Sequence, residues 1–349
     1  MRVAACIVLV SACAAPAVAP RPKADRIAII GAERGPRGAR IVAIDERGDR
    51  AFELLEAAPP STRVRDQSPS VSPDGRWLAF VSTRGRRLDE TSLWIAPLHA
   101  DAVPMRLGDG VAIDSQPTWT RDGSAIVFAS TRARGDFDLW RQPMRDGRPA
   151  GAAVRLTSAE GHEIEPSVAR DGTIVYAAVS RDGTETHIES RAPDGTIARL
   201  TTGPADVSPA LSPDDHTIAF ARPVVHLSTP DSELWRMDRD GSNVSQVIDL
   251  RLTDESGPVW SDDGRYLFAT SELRGADRRP LFSSIIFIDL RDPTPTARML
   301  EDRAAAIVRF TPAVTRAPLD AEALRSDPEY LSELGRIMAR AVEEQRAQP

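Results

Sequence analysis

Ser68-Pro-Ser-Val-Ser-Pro-Asp-Gly-Arg-Trp-Leu-Ala-Phe-Val-Ser-Thr-Arg-Gly85 is the stretch that decides the fold, because copies of it recur along most of the chain. Each copy has a proline and, five positions later, an aspartate. An apolar run follows, as in 77–81, and a second strand-like segment begins about ten residues after it, as in 92–96. The copies lie 43 to 49 residues apart, with their motif prolines at Pro69, Pro117, Pro166, Pro209 and Pro258.

The aspartate of each copy marks a predicted tight turn. Four of the five are followed by glycine, and Asp-Gly suits a hairpin turn in which both central residues take positive φ. The aspartates are Asp74, Asp122, Asp171, Asp214 and Asp263. A repeat of 43 to 49 residues with several short strands predicts the blades of a β-propeller.

Both ends of the repeat region predict strands of one further blade. Segments 26–30, 39–44 and 52–55 precede the first copy without an inner strand before them, and segment 306–314 follows the last copy. Pairing of these terminal strands would close the ring and remove open sheet edges, which promote aggregation. The fold class predicted is therefore all-β, a six-bladed propeller closed by strands from both termini.

The repeat resembles that of a known family. A Pro-x-Trp-Ser-Pro-Asp-Gly type of motif, a Ser-x-Arg-x-Gly loop and a Leu-Trp strand, such as Leu93-Trp94, together look like the TolB-type β-propeller repeat. The resemblance covers about residues 25–314 and implies six blades and a place in the bacterial cell envelope.

All six tryptophans fall at repeat positions, which predicts a core role for them rather than a sugar-stacking surface. They are Trp77, Trp94, Trp119, Trp140, Trp235 and Trp260.

The first residues predict export. Residues 3–10 form an apolar run too short to span a bilayer, so 1–12 reads as a signal peptide. Leu9-Val-Ser-Ala-Cys13 resembles the bacterial lipobox, which implies lipidation of Cys13 and an alanine- and proline-rich tether over 13–24. We expect a lipoprotein on the periplasmic side of the outer membrane, the alternative being a soluble periplasmic or secreted protein. Removal of Cys6 with the signal leaves no pair for an intramolecular disulfide.

Charge and motifs narrow the function. The net charge of −7 argues against a nucleic-acid partner, which requires a basic face. The sequence has no Gly-x-Ser-x-Gly elbow, His-Glu-x-x-His helix or phosphate-binding P-loop. We therefore expect no enzyme activity, no cofactor and no metal.

A ring of charged residues is predicted three positions before each motif proline. We expect it near the mouth of the central channel, beside loops that begin with Arg84, Arg132, Arg181, Arg222 and Arg274. Either the arginines neutralise the carboxylates and fix the packing between blades, or the carboxylates form an acidic mouth that accepts a cation or a basic partner segment. The ring comprises Asp66, Asp114, Glu163, Asp206 and Glu255, with Arg309 at the equivalent place in the closing strand.

Two loops on the same face, 222–231 and 272–280, are longer than their counterparts and are predicted to be irregular. Binding residues concentrate in such loops on a rigid scaffold. The candidates for partner contact there are Arg274, Arg278, Arg279 and His226.

Residues 315–349 predict a linker and an amphipathic helix. Ser326-Asp-Pro-Glu329 has the spacing of a capping box. The helix either docks on the outside of the propeller or binds a partner. Its apolar face would carry Leu331, Leu334, Ile337, Met338, Ala341 and Val342.

These patterns favour a monomeric, lipid-anchored, non-enzymatic scaffold that binds an envelope protein through the loop face and channel mouth. The alternative is a propeller enzyme or carbohydrate-binding protein, resembling lyases or glycosidases, that uses the same mouth. An enzyme would gather unpaired carboxylates or histidines, whereas a scaffold would pair its ring carboxylates with arginines.

Overall fold

A computed structural model of the chain describes residues 27–35, 38–45, 50–59, 62–133, 135–203, 205–226, 229–250, 253–274, 280–292, 295–299 and 308–315. These residues form twenty-five β-strands and contain no helix, hence none that could cross a bilayer. The predicted signal peptide, the tether with Cys13 and the C-terminal helix lie outside the described residues.

Three strands precede the first repeat: β1 (Ile27–Gly35), β2 (Gly38–Asp45) and β3 (Arg50–Glu53). Repeat 1 contains β4 (Val64–Val71), β5 (Trp77–Ser82), β6 (Ser92–Pro97) and β7 (Met105–Arg106). Repeat 2 contains β8 (Asp114–Trp119), β9 (Ala125–Ser130), β10 (Asp138–Arg145), β11 (Arg148–Pro149) and β12 (Val154–Arg155).

Repeat 3 contains β13 (His162–Val168), β14 (Ile174–Val179), β15 (Thr186–Arg191) and β16 (Ile197–Arg199). Repeat 4 contains β17 (Val207–Leu211), β18 (Thr217–His226), β19 (Thr229–Asp238) and β20 (Ser245–Gln246). Repeat 5 contains β21 (Thr253–Trp260), β22 (Tyr266–Arg274), β23 (Pro280–Asp289) and β24 (Ala297–Met299), and β25 (Val308–Val314) follows it.

Repeats 2 to 5 each form a separate antiparallel sheet with an up-and-down order of strands, and in repeat 2 both β11 and β12 pair with β10. β25 pairs with β1, which pairs with β2, so the predicted pairing between the two ends of the repeat region is confirmed. A short parallel pair between β2 and β4 joins these strands to repeat 1 in one eight-stranded sheet.

The direction of the strands gives the assembly two distinct faces. The first strand of each repeat, called the inner strand here, runs from the loop face, where the second and third strands are connected, to the turn face, where the Asp-Gly turns lie. β25 runs in the same sense, because it too pairs antiparallel with the strand that follows it in the sheet.

The Asp-Gly turns lie where the sequence predicts, but their geometry differs. In repeat 1 the amide of Gly75 donates to the carbonyl of Ser72, so Pro73 and Asp74 are the central residues of the turn. Only the glycine has positive φ, at 70°. The carboxylate of Asp74 accepts hydrogen bonds from the Ser72 hydroxyl and the Arg76 amide, which holds the aspartate in the ordinary turn conformation.

The core lies between neighbouring sheets. Leu93 and Ile95 of repeat 1, for example, pack against Ile126 and Phe128 of repeat 2. Trp119 belongs to the same buried cluster, and the other five tryptophans are partly buried against one of these clusters, which agrees with their predicted core role.

Two predicted irregular loops are instead largely extended hairpins. β18 and β19 pair without interruption from Thr217↔Asp238 to His226↔Thr229, and β22 pairs with β23 as far as Arg274↔Pro280. Prediction of irregular structure over 222–231 was therefore wrong, because the β-branched pair Val224-Val225 favours continuation of the strand. Residues 227–228 and 275–279, with Arg278 and Arg279, lie outside the described residues.

The parallel pairing of β2 with β4 leaves no room for a side chain at Gly38. Its φ is +124°, and a Cβ there would lie 1.8 Å from the carbonyl oxygen of Val64. We predict that Gly38→Ala lowers the free energy of unfolding by more than about 2 kcal/mol, because strain and a backbone clash add up. Gly75→Ala is the matched control: its φ is +70° and its added Cβ meets nothing within 4 Å, so only about 1 kcal/mol is expected. Equal losses in urea denaturation would contradict the steric explanation.

Candidate binding channel and charged ring

The inner strands surround a central channel with a cavity of about 750 Å³. Residues from all five repeats and from β25 line it, starting at the position before each motif proline. That position forms a polar collar, the channel collar, which consists of Ser68, Gln116, Glu165, Ser208 and Gly257.

Every collar residue has a left-handed backbone, with φ between 46° and 58°. The pairing of inner and second strands shifts register at the same place in each repeat, as between Gln67 and Ser70. Bulges and left-handed non-glycine residues persist only where the surroundings enforce them, and they concentrate at functional sites. The collar is therefore a strained feature that the whole ring supports.

Hydrogen bonds join the collar across three repeats. The carboxylate of Glu165 accepts from the backbone amide of Ser208 at 2.6 Å and from its hydroxyl at 3.0 Å. It also accepts from the side-chain amide of Gln116 at 3.3 Å. Burial raises the pKa of Glu165, and the hydrogen bonds from Ser208 offset part of that shift.

Further contacts stiffen the channel wall below the collar. The amide of Trp119 donates to the Ser70 hydroxyl at 3.3 Å, and the amide of Leu211 donates to the Ser167 hydroxyl at 3.0 Å. The indole of Trp260 donates to the carbonyl of Ala210 at 3.0 Å. Each bond joins one inner strand to the next, so the channel is bounded by a connected wall.

Arg121 narrows the channel at the turn face. Its guanidinium reaches from repeat 2 past repeat 3 and donates to the carbonyls of Leu211 and Ser212 at 3.2 and 3.1 Å. Asp215 lies 3.7 Å from Arg121 and 3.6 Å from Arg170 and thus bridges the two cations. Burial lowers the pKa of Arg121, and the charge of Asp215 offsets part of that shift.

The predicted charged ring lies in the wall and not in the channel lining. All five carboxylates are buried, with at most 2% of each residue exposed. Asp66 receives a two-pronged contact from Arg84 at 3.2 and 2.7 Å, and Asp206 receives one from Arg222 at 2.6 and 2.8 Å. Burial raises the pKa of Asp66, and Arg84 lowers it in part.

Asp114 shows how such a carboxylate joins two repeats. It accepts from Ser130 at 2.7 Å and from Arg132 at 2.9 Å within repeat 2, and from the backbone amide of Leu93 in repeat 1 at 3.0 Å. Arg132 also lies over the rings of Phe128 and Trp140, 4.8 and 5.1 Å from their centroids. Removal of this carboxylate would break contacts on both sides of the interface.

Among the described residues, no ion pair joins an arginine to either glutamate of the ring, although Thr157 hydrogen-bonds to Glu163 and the charge of Arg155 lowers its pKa in part. Glu163 and Glu255 each keep one buried carboxylate oxygen without a hydrogen bond among the described residues. Burial, as the largest cause, raises the pKa of Glu163 to about 7 and that of Glu255 to about 8. Arg181, the expected partner of Glu163, is 77% exposed and lies 3.7 Å from Glu160 instead.

The remaining candidates are distributed as follows. Arg274 lies 2.6 Å from both Asp254 and Glu272 and does not reach Glu255. In the pairing of β25 with β1, the backbone of Arg309 lies opposite buried Glu33. The arginine is here on the first strand and the carboxylate on the second, which is the reverse of their places in the repeats. The side chains of Arg309, Arg278, Arg279 and His226 lie outside the described residues.

The sequence prediction missed the channel collar. Gln116, Glu165 and Ser208 occupy the same repeat position, but their residue types differ, so a search for repeated charge passes over them. Their shared position before each motif proline, which recurs in all five repeats, was the available signal. Within the described part of the chain, no group of three or more histidine, cysteine, aspartate or glutamate side chains is arranged to hold a metal.

Arg222 and Arg181 occupy equivalent positions but lie in different environments, which provides a test of the buried pairs. We predict that Arg222→Ala costs about 3–5 kcal/mol of unfolding free energy, because buried Asp206 would lose its counter-ion. Arg181→Ala, at an exposed side chain, should stay within about 0.5 kcal/mol of wild type. Urea denaturation of both variants checks this, and a similar cost for the two would show that the ring pairs do not hold the repeats together.

Comparison with known proteins places the chain in a family. A model of the TolB β-propeller domain matches residues 56–263. The chain is 28% identical over 153 residues to an uncharacterized protein of Agrobacterium fabrum, which covers 42% of this chain and 50% of that protein. It is 31% identical over 161 residues to lipoprotein LpqB of Nocardia farcinica, which covers 42% of this chain and 25% of that lipoprotein. The matches thus span half or less of these curated relatives.

Solved structures agree in fold. The TolB structure from Acinetobacter baumannii has a TM-score of 0.61 at 16% identity, with 83% of this chain and 67% of that chain covered. The putative TolB from Agrobacterium tumefaciens has a TM-score of 0.56 at 21% identity, with 79% and 89% covered. Since the family model matches more than half of the sequence, this protein belongs to the TolB β-propeller domain family.

Proposed function

We propose that this protein is a non-enzymatic interaction scaffold of the bacterial cell envelope that binds a protein partner through its channel and loop face. The observation that carries the proposal is the channel itself. Its cavity of about 750 Å³ falls within the range of ligand sites, its collar is polar, and hydrogen bonds between repeats fix its wall. A rigid polar channel suits an extended segment of a partner, because little ordering is needed on the scaffold side.

The proposal includes a six-bladed propeller. The strand order of the eight-stranded sheet supports this count, because the sheet divides at the short parallel pair of β2 and β4. One part then contains β25, β1, β2 and β3, and the other contains repeat 1. With repeats 2 to 5, this division yields six units around the channel.

Partner contacts in this proposal involve two sets of residues. The channel collar, with Glu165 and Gln116, meets the inserted segment, and Arg274 and Arg278 meet the partner on the loop face. The ring residues Asp66, Asp114 and Asp206 act as buried supports of that face, because their arginine pairs leave little of them accessible. Glu163, Glu255 and Arg309 complete the predicted set.

Membrane attachment is proposed to occur through lipid on Cys13, with residues 13–24 as the tether. The lipobox-like stretch supports this, and so does the likeness to a protein described as a lipoprotein. We further propose that the C-terminal helix predicted within 315–349 docks on the propeller or contacts the partner.

A channel-filling variant tests the partner proposal. We predict that Ser68→Arg reduces capture of a crosslinked partner from envelope membranes about tenfold, because the larger side chain occupies the collar. Val244→Arg places the same side chain at an exposed residue outside the channel and should leave capture unchanged. Thermal unfolding of both variants shows whether they are folded.

Undiminished capture by a folded Ser68→Arg variant would contradict binding in the channel. The alternative function, a propeller enzyme or carbohydrate-binding protein, draws on the incompletely hydrogen-bonded carboxyl groups of Glu163 and Glu255. It would replace the scaffold proposal if the wild type retained or converted a glycan and captured no protein.

The anchor has its own test. We predict that Cys13→Ser abolishes incorporation of a labelled fatty acid and moves the protein from the membrane fraction to the soluble fraction, because no other cysteine remains after loss of Cys6. Unchanged labelling or unchanged fractionation would contradict lipidation at this residue.

A further inference from the structure

The interface between repeats 2 and 3 departs from the pattern of its neighbours. In repeats 1, 2 and 4 the second and third strands place a phenylalanine opposite a tryptophan, as in Phe128↔Trp140. Repeat 5 places Phe268 opposite Phe287. Repeat 3 has Tyr176 opposite Glu189, so a polar pair replaces an aromatic one.

The arginine that begins the loop between the second and third strands also has a different environment in repeat 3. In repeats 2 and 4 the arginine stacks on the aromatic pair while it binds the ring aspartate, as Arg222 does over Phe220 and Trp235 at 5.1 and 4.9 Å. In repeat 3 no such aromatic pair supports Arg181, which points to solvent. The ring residue Glu163 lies among polar side chains, without an ion pair to an arginine of its own repeat.

Those polar side chains form a connected cluster. The Tyr176 hydroxyl donates to Glu189 at 2.7 Å, and the His187 Nε2 atom lies 3.0 Å from the other oxygen of Glu189. On the repeat 2 side of the interface, Arg155 donates to Asp138 at 2.7 Å. Several titratable or charged groups interact with Glu163 or lie next to it. They are Asp138, Arg155, Tyr176, Glu189, His187 and His162.

The cluster is also poorly satisfied. Four of its buried polar atoms have no hydrogen-bond partner among the described residues: Glu163 Oε2, Asp138 Oδ2, Arg155 Nε and His187 Nδ1. Glu163 and Asp138 are almost completely buried. Two like charges so placed disfavour each other, and the interior does not screen them as water does. The packed interface is therefore more stable when Glu163 is neutral than when this carboxyl group is ionised.

We propose that the interface between repeats 2 and 3 is a proton-linked joint, closed while Glu163 carries its proton and loosened when the proton is lost. The backbone amide of Glu163 donates to the carbonyl of Phe137 at 2.7 Å, so loosening at Glu163 acts directly on the contact between the two repeats. Phe137 and Glu163 both lie toward the loop face. Use of the joint to regulate partner binding rests on the function proposed above, whereas the joint itself does not.

The sign of the pH effect follows from linkage. The pKa of Glu163 is raised in the folded state to about 7 from 4.5, chiefly by burial and further by Asp138 and Glu189. The closed interface thus holds a proton that the open interface releases. Its stability is complete below pH 4.5 and falls as the pH rises toward about 7.

Hydrogen exchange of the purified full-length chain tests the joint without any partner. After correction for intrinsic exchange, we expect protection in peptides spanning 135–141 and 160–168 to fall about tenfold between pH 6 and pH 8. Peptides around Asp114 and Asp206 serve as internal controls. They should change little, because each of these ring carboxylates forms an ion pair with an arginine. Glu163→Gln should remove the pH dependence of the peptide 135–141, while Glu160→Gln, at an exposed side chain three residues away, should retain it.

The proposal is overturned if Glu163→Gln keeps the wild-type pH dependence, or if the control interfaces lose protection equally. Carbon-13 detection of the Glu163 carboxyl in the wild type provides a second measurement that does not require the variant to fold. A titration midpoint near 7 is expected, and one near 4.5 would overturn the joint. Failure here would leave the Ser68→Arg capture result, and with it the proposed function, untouched.

Discussion

In the described part of the chain, the four sheets of repeats 2 to 5 are not joined to one another by strand pairing, so packing of side chains and buried polar contacts must hold them in a ring. Apolar clusters between sheets contribute most of the burial, but they do not fix orientation, because apolar contacts are non-directional. The directional contacts come from the charged ring, as at Asp114, and from the bonds between inner strands, as at Glu165. Bonds of the second set link the inner strands of all five repeats in succession, which fixes this part of the channel wall.

Much of this architecture could be read from the sequence. The spacing of the motif prolines located every inner strand, and the strand-like ends of the repeat region indicated their mutual pairing. The sequence could not show that Pro73 and Asp74 are the central residues of their turn, since that depends on a carboxylate contact with Ser72. Nor could it show the extended hairpin of β18 and β19, because pairing beyond the repeat length depends on the partner strand.

The candidate site was predictable only in part. Repetition of charge identified the ring and its arginines, but not which carboxylates they reach. In repeat 3 the pair of Tyr176 and Glu189 takes the place of the aromatic pair, but repeat 5 keeps an aromatic pair and its Glu255 still has no arginine ion pair among the described residues. The three aspartates of the ring form ion pairs with arginines, whereas each of the two glutamates keeps a buried oxygen without a hydrogen bond among the described residues. Residues at the same position of the repeat therefore differ in environment.

Hydroxyl-radical footprinting tests the central claim, that the channel is the partner site and the ring its support. The full-length chain would be compared in native envelope vesicles and after purification. We predict lower oxidation in the vesicles at the partly exposed channel-lining residues Val71, Val259 and Trp260, with no change at Met105, which is exposed outside the channel. Protection at Met105 with unchanged oxidation of the channel lining would contradict the claim.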